Sequence, residues 1–280
     1  MSQYADRLIF YLIFCVQKWA EMSITRRVRL SVDTSFWQAK IAGILRPQLL
    51  EERMSVREEF DAWAAEGKDR GMEDRHWHTA KHVLARMPVE PGDTVLDLGT
   101  GSGYALRALR DTNDAGPCYG LDGSPEMLRN AREYTDDDGI GFLRGDFDAL
   151  PFATDSIDHV FSMEAFYYAS DPLHTLEEIA RVLRPGGTAH IAVNYYEENV
   201  HSHEWQEFID IEMTRWSGPE YREAFREAGL AVATQDTIPD REVEIPPADA
   251  FPTDEFETRE AMVERYRELG TLLTVGVATE

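Results

Sequence analysis

The sequence predicts an α/β fold: a largely parallel sheet covered by helices on both faces. Three observations carry that expectation. Residues 94–98 read as a short strand that is apolar on both sides of Asp97, as a strand buried on both faces is. Glycines at 99, 101 and 103 then lead into residues 105–110, which read as helix, so the order is strand, tight turn, helix N-terminus. The alternation recurs down the chain, with apolar runs at 118–121, 140–143, 157–163 and 188–193 interleaved with helical stretches at 126–134 and 172–183.

Taken in order, the first fifty residues stand apart in composition. Residues 8–16 are the longest apolar run, too short to span a bilayer. A secretory signal would place positive charge ahead of such a run and small residues behind it. Here Asp6 and Arg7 precede it, and Gln17, Lys18 and Trp19 come after it. Basic groups also outnumber acidic ones in this segment, unlike the rest of the chain. Three readings fit: an amphipathic helix packed on the domain, a membrane-surface segment, or a start placed too far upstream. The composition shift favours the third, with Met54 as the natural start. Residues 1–53 are therefore set apart as an N-terminal extension from a single domain at 54–280.

Val56, Phe60, Trp63 and Ala64 share one helical face, and Gly67 closes that pattern. A second helix is expected over 73–87, with Trp77, Val83, Leu84 and Met87 as its apolar positions. His78 and His82 stand four apart, but no third ligand accompanies them, so no metal site is expected. Residues 88–93 turn the chain into the first strand.

The glycine turn can bring a ligand against bare backbone, because glycine permits positive φ and has no Cβ in the way. Asp122 closes the second strand 19 residues after Gly103, a spacing at which an acid accepts both hydroxyl protons of a ribose. Two nucleotide readings compete. A dinucleotide fingerprint is G-x-G-x-x-G; this chain has G-x-G-x-G, with Tyr104 where the third glycine would stand. Asp97, two residues before the first glycine, would repel a pyrophosphate and suits an ammonium group. The turn therefore favours an adenosine ligand with a cationic tail.

Ser124 and then Pro125 cap and start the helix at 126–134. Residues 135–139 make an acidic loop, and the third strand, 140–143, delivers Gly145, Asp146 and Phe147. The fourth strand, 157–163, carries Glu164 to Tyr168 at its carboxyl tip, the end at which open α/β sheets bind ligands. Asp171 and Pro172 start a helix running to 183. Pro185, Gly186 and Gly187 then turn the chain into the fifth strand, 188–193, with Asn194, Tyr195 and Tyr196 at its tip. Residues 197–216 read as a helical insertion holding His201, His203, Trp205 and Trp216. Ser217 and Glu220 have capping-box spacing for a helix ending near Gly229. A sixth strand at 230–238, an acidic, proline-rich loop at 240–250, a helix at 254–269 and a last strand at 271–277 complete the chain.

Four motifs stand in register: Val95-Leu96-Asp97-Leu98-Gly99-Thr100-Gly101-Ser102-Gly103, Gly120-Leu121-Asp122-Gly123-Ser124-Pro125-Glu126-Met127-Leu128, Gly145-Asp146-Phe147-Asp148-Ala149-Leu150-Pro151-Phe152 and Arg181-Val182-Leu183-Arg184-Pro185-Gly186-Gly187. On them, residues 56–280 resemble the class I S-adenosylmethionine-dependent methyltransferases, nearest the small-molecule branch that contains the quinone and sterol C-methyltransferases. The resemblance implies a Rossmann-like, seven-stranded sheet of order 3-2-1-4-5-7-6 with strand seven antiparallel. It also implies a lid of helices at 54–87 and insertions at 197–216 and 240–269 near the substrate side. The cofactor it implies is S-adenosyl-L-methionine, held by Asp97, Gly99, Thr100, Gly101, Gly103, Asp122, Gly123, Asp146, Phe147 and Ser162. Asp146 would accept from the adenine amino group and the Phe147 backbone would meet a ring nitrogen; the alternative for Asp146 is a plain turn cap.

The expected reaction is in-line methyl transfer to a small molecule. A hydroxyl, ammonium or acidic carbon acceptor needs a base. Glu164 is the first candidate, His78 and His203 the next, and the other reading of Glu164 is a hydrogen-bonding group that only shapes the pocket. Tyr167, Tyr168, Tyr195 and Trp77 are the expected acceptor contacts, an aromatic set suited to an apolar or ring-bearing molecule. Two alternatives compete: a non-catalytic S-adenosylmethionine-binding module, and a nicotinamide-dependent oxidoreductase, which the missing third glycine opposes. The fourth-strand tip lacks the D/N-P-P-Y/F of nucleic-acid methyltransferases.

The formal net charge is −24, and lysine occurs only at Lys18, Lys40, Lys68 and Lys81. Such a surface is expected of a halophilic protein, since molar salt screens its self-repulsion. No basic stripe with interleaved aromatics is present, so no nucleic-acid partner is expected. Cys15 and Cys118 make no disulfide framework and are too few for an arsenite-type enzyme. The expectation is a cytoplasmic enzyme without a transmembrane span, whose partner is a small-molecule substrate.

Overall fold

The computed structural model describes residues 55–208, 211–253 and 255–279. The apolar run at 8–16 and the start proposed at Met54 lie outside the described residues.

Val95–Leu98 (β1), Cys118–Asp122 (β2), Ile140–Arg144 (β3), Ile157–Met163 (β4), Leu183–Val193 (β5), Leu230–Ile238 (β6) and Thr271–Ala278 (β7) form one sheet in the order β3-β2-β1-β4-β5-β7-β6. The first five strands are parallel, and β7 runs antiparallel to both β5 and β6. This is the expected topology. In the central register Asp97 lies opposite Gly120 on one side and Phe161 on the other, so the tips of these strands share one edge of the sheet.

Strand side chains alternate between faces, and the apolar residues on each face explain why helices cover both. Val95, Cys118, Phe161 and Ala192 pack with Val83, Leu106 and Leu109 in one cluster. Leu96, Leu98, Val160 and Ile191 pack with Ile179, Val182, Tyr221 and Phe225 in another. The first cluster is closed by Asp69–Leu84 (α2) and Tyr104–Asn113 (α3), the second by Pro172–Val182 (α5) and Gly218–Glu227 (α7). Val56–Ala65 (α1) lies against Pro125–Tyr134 (α4). Each fully buried Leu, Ile or Val contributes roughly 1.5–3 kcal/mol of transfer free energy.

The helix starts read from the sequence hold. Ser124 accepts from the Met127 N–H with Pro125 at the first position, Asp171 accepts from the His174 N–H, and Ser217 with Glu220 closes a full capping box.

Four boundaries depart from expectation. The helix expected at 73–87 is α2, which begins at Asp69 and ends at Leu84. The fifth strand starts at Leu183, because the Pro185-Gly186-Gly187 segment pairs irregularly with β4 across a register shift between Ile157 and His159. The segment 197–216 is not a helix. It holds a 3-10 turn, Val200–Ser202, and the short Trp205–Phe208 (α6). Its polar groups are satisfied by chain reversal instead: Glu197 N–H donates to the Trp216 carbonyl (3.1 Å), Thr214 N–H to the Tyr167 carbonyl (2.8 Å), and the Gln206 amide bonds the Ile211 carbonyl and Met213 N–H. The helix expected at 254–269 begins only at Arg259–Val263 (α8), capped by Thr258, and continues as a π-helical turn, Glu264–Leu269. Residues 252–257 group apart from the rest; within them Thr253 N–H donates to the Phe256 carbonyl at 2.9 Å and Phe256 N–H to Thr253 Oγ1 at 3.0 Å.

Candidate functional site

The turn after β1 needs its glycines for two different reasons. Gly99, Gly101 and Gly103 all have positive φ, +78°, +51° and +78°. A Cβ on Gly99 would stand 2.2 Å from Ala165 Cβ, and one on Gly103 would stand 2.8 Å from the Phe142 ring. At Gly101 nothing lies within 4 Å, so there the turn faces open space. The Gly99 and Thr100 N–H groups both donate to the Leu121 carbonyl, at 2.8 and 3.1 Å, which locks the turn to β2.

Two carboxylates frame the turn. Asp122 accepts from the Gly101 N–H through Oδ2 and from the Ser124 N–H through Oδ1, both at 2.9 Å. Burial raises its pKa against those bonds. Asp97 is 2% exposed and accepts from Thr100 Oγ1 at 2.7 Å. Burial pushes its carboxyl up to about 7, opposed by the Thr100 bond and reinforced by the Asp122 charge.

Helices α1 and α2 are tied to this frame by acids that no local spacing announced. Glu73 of α2 accepts from Ser102 Oγ at 2.8 Å and from Arg107 at 3.1 Å. Asp61 of α1 accepts from Ser124 Oγ at 2.5 Å and from the Glu126 N–H at 3.2 Å. Arg57, also on α1, pairs with Asp146 at 3.1 Å, where the Asp146 side chain is 75% exposed.

Glu164 at the tip of β4 is the most strained residue of the site. Its φ is +55°, an unfavourable region for a residue with a Cβ, costing about 1–3 kcal/mol. Its N–H donates to the Ala192 carbonyl at 2.9 Å, which turns the side chain into the tip region, and the residue is 8% exposed. Tyr167 Oη donates to Oε2 at 3.3 Å, while Oε1 is buried without a partner among the described residues. Burial lifts this carboxyl to about 7, opposed by the charge of Arg265 and by the nearby polar groups of Asn194 and Tyr167. Tyr104 Oη is likewise buried and unpartnered among the described residues. Its pKa is raised by burial first and then by the charges of Asp97, Glu164 and Glu73. Acids therefore converge on this region, with Glu73 paired to Arg107 and Arg265 acting on Glu164, and the carboxyls that remain suit a cation and repel a pyrophosphate.

The remaining expected residues fall into two groups. Tyr167 lies against Tyr168 (ring centroids 4.6 Å) and Tyr195 (5.7 Å), and Tyr195 lies nearly parallel to Trp205, 18° apart. Trp77, 37% exposed, meets Tyr104 edge-on at 6.2 Å. The Phe147 ring reaches the glycine turn, 3.4 Å from where a Gly99 Cβ would stand, and the space at Gly123 is open to 4.0 Å. Ser162, by contrast, is fully buried and spends its hydroxyl on the Leu98 carbonyl at 2.8 Å, joining β4 to β1. His78 is paired with Asp240 at 3.1 Å and His203 with the Glu197 carbonyl at 2.9 Å; neither is brought to Glu164 by any of these contacts. Two grooves, of about 430 and 530 Å³, open beside Tyr119 and beside His190; neither is lined by the glycine turn.

Comparison with known proteins assigns the family. Residues 96–191 match the model described as a methyltransferase domain. In the solved complex between the Haloferax volcanii Trm112 methyltransferase activator and a chain assigned to the methyltransferases, a chain is 75% identical to this one. The match covers 81% of this chain and 100% of that one, with a TM-score of 0.79. The chain belongs to the methyltransferase family. Among curated methyltransferases, the arsenite methyltransferase of Halobacterium salinarum is 32% identical over 145 residues, covering 50% of this chain and 36% of that protein. The malonyl-[acyl-carrier protein] O-methyltransferase of Methylococcus capsulatus is 39% identical over 98 residues, 35% of this chain and 36% of that protein. The matched stretch thus spans little more than a third of these relatives' length. Geranyl diphosphate C-methyltransferase of Streptomyces coelicolor, solved with S-adenosyl-L-homocysteine, shares the fold at 18% identity and a TM-score of 0.55, covering 71% of this chain and 76% of that one.

S-adenosylmethionine is the cofactor of this methyltransferase, and the residues present fit it. The opening at Gly101 leaves room for a ligand, Asp122 stands at the strand tip beside it, and Asp97, Glu164 and the orphaned Tyr104 hydroxyl leave negative charge for an ammonium and a sulfonium. The partner expectation needs correction. A small-molecule substrate was the only partner expected, whereas the 75% identical chain was solved with a protein activator. The surface signals sought in the sequence, basic stripes and long apolar runs, do not report protein docking. Among the described residues no helix is long and apolar enough to cross a membrane.

Proposed function

We propose that this protein transfers a methyl group from S-adenosylmethionine to an acceptor positioned by Glu164, Tyr167, Tyr168 and Tyr195, and that it works with a Trm112-type protein activator. One observation carries the reading: the buried acids Asp97 and Glu164 and the half-buried Asp122 flank a glycine turn that is open at Gly101. The 75% identical chain supports the activator.

The bound cofactor supplies a sulfonium methyl that is already electrophilic. The protein's share is then alignment, which can lower a barrier by about 7–11 kcal/mol. Asp97 would hold the ammonium end and Asp122 the ribose hydroxyls. Asp146 would take the adenine amino group once it exchanges Arg57, with the Phe147 ring covering the Gly99 side. The Tyr104 ring would meet the sulfonium through a cation–π contact of roughly 0.5–2 kcal/mol. Glu164, with its carboxyl near 7, is partly ionised at neutral pH and accepts the acceptor's proton, and Tyr167 Oη fixes its orientation. The aromatic ring set suits a planar or apolar acceptor group.

The test is transfer of label from methyl-labelled cofactor into cell extract, with the Trm112-type activator present. Glu164→Gln should bind the cofactor as the wild type does and lose about 10²–10⁴-fold in transfer. Unchanged transfer would reduce Glu164 to a pocket-shaping residue.

A further inference from the structure

Arg265 is a buried cation that the methyl-transfer reading does not use. It is 4% exposed and sits on the second residue of the π-helical turn Glu264–Leu269. Its carbonyl accepts from the Gly270 N–H at 3.0 Å, and Tyr196 Oη donates to the Leu269 carbonyl at 3.2 Å, which pins the turn over the tip of β5. Gly270, at φ +63°, packs so closely that a Cβ would meet the Ile238 carbonyl oxygen at 2.3 Å, so the turn has one seat. π-helical turns of this kind recur at functional sites.

The guanidinium lies 5.8 Å from the Trp205 ring and 5.2 Å from the Tyr266 ring; burial lowers its pKa, with Tyr266, Glu164 and Tyr196 acting against that and the Arg75 charge adding to it. Among the described residues it makes no hydrogen bond and no ion pair. Its nitrogens keep a small solvent contact, unlike Glu164 Oε1 and Tyr104 Oη, so they edge an opening. A wholly structural role would pair so deeply set a guanidinium, because residual hydration and aromatic contacts offset only part of its desolvation cost. Glu164 does not serve as that partner; it is not within ion-pairing distance, and its own free oxygen is also unpartnered. Five unused donors in a planar fork, beside the nearly parallel rings of Trp205 and Tyr195, are the complement of an oxyanion on a ring or chain.

We infer that the acceptor side of the site contains an anion subsite in which Arg265 binds a carboxylate or phosphate group of the methyl acceptor, between Trp205 and Glu164. The inference rests on the methyltransferase reading for its place beside Glu164, and adds to it the substrate class: an anionic acceptor. Ligand binding makes the bonds that the free protein leaves unmade, and the placement of Arg265 relative to Glu164 sets which atom of the acceptor meets the base.

The test titrates the full-length protein, with saturating S-adenosylhomocysteine, against benzoate, phenyl phosphate and the neutral isostere benzamide by calorimetry. Wild type should bind at least one of the two anions and discriminate against benzamide. Arg265→Gln should weaken the anion by about tenfold or more, and Arg265→Lys should recover part of that loss, since an ammonium keeps the charge but not the fork. Cofactor affinity, measured on the same samples, should be unchanged. Preference for benzoate assigns a carboxylate and preference for phenyl phosphate a phosphate. Arg265→Lys carries the comparison should Arg265→Gln melt early. Equal anion affinity in wild type and variants, equal binding of benzamide, or no anion binding to wild type overturns the subsite. Failure of the wild type to bind the cofactor would remove the methyltransferase reading instead, a result read in a separate titration.

Discussion

Asp97→Asn should stabilise the ligand-free protein at alkaline pH and weaken cofactor binding. The Asp97 carboxyl is 2% exposed and lifted to about 7, chiefly by burial. A carboxyl whose folded pKa exceeds its unfolded value of 3.8 contributes most stability below 3.8, and that contribution is lost as pH rises through 7. A shift of about three units corresponds to about 4 kcal/mol between those limits. Between pH 5 and pH 8 the wild type should lose about 2–3 kcal/mol through this group, a loss the asparagine variant escapes. Any constant cost of the new amide, and the parallel titration of Glu164, cancel when the stability gap between the two proteins is compared at the two pH values. Denaturant unfolding at pH 5 and 8, at fixed salt, measures that gap. Calorimetry at pH 8 should show cofactor affinity falling by about 10–150-fold, equivalent to the roughly 1.5–3 kcal/mol of a charged hydrogen bond. A gap that does not widen with pH, or an unchanged affinity, refutes the idea that this acid is held at a stability cost for a cationic ligand.

The glycine turn separates folding from binding. Gly99→Ala should lower stability by roughly 1–3 kcal/mol or more, because its methyl collides with Ala165 on top of the backbone strain. Gly101→Ala bears the strain without a collision, so it should melt above Gly99→Ala yet lose the cofactor. Thermal melts with and without cofactor distinguish them; the opposite pattern would contradict the assignment of the open side. Methyl transfer should rise as pH passes through about 7, where Glu164 ionises, and a flat profile between pH 6 and 8 would argue against it as base. With a net charge of −24, the melting temperature should climb from 0.1 to 2 M KCl, as the screening length falls to about 3 Å at 1 M. A flat or falling curve would remove the halophilic reading.

The parts of the fold that were legible are those whose signal is local. The strands and the parallel core follow from apolar runs buried on both faces, and the turn after β1 from glycines that must take positive φ; the strand order came from the family resemblance, not from any local signal. The caps Ser124, Asp171 and Ser217 were equally readable, since each bonds an N–H three residues on. The segment 197–216 departs from the expected helix because its amides close a reversal, Glu197 with Trp216 and Thr214 with Tyr167, pairings that no local pattern reports. Glu73 and Asp61 were invisible for another reason. Their partners Ser102 and Ser124 lie 29 and 63 residues away, and only the packing of α1 and α2 brings them together. Arg265 falls in the same class, as one arginine in a charged helix until the π turn buries it. Glu164 could be singled out by its place at a strand tip; its strained φ could not.

The central claim is that the turn at 99–103, with Asp97 and Asp122, holds a cationic sulfonium nucleoside and not a dinucleotide. The most direct measurement is calorimetric titration of the full-length protein with S-adenosylmethionine and, separately, with NAD, repeated on Asp122→Ala. Saturable binding of S-adenosylmethionine, absent in the variant, with no heat from NAD is the predicted result. Binding of NAD in place of S-adenosylmethionine, or equal affinity in the variant, would contradict it.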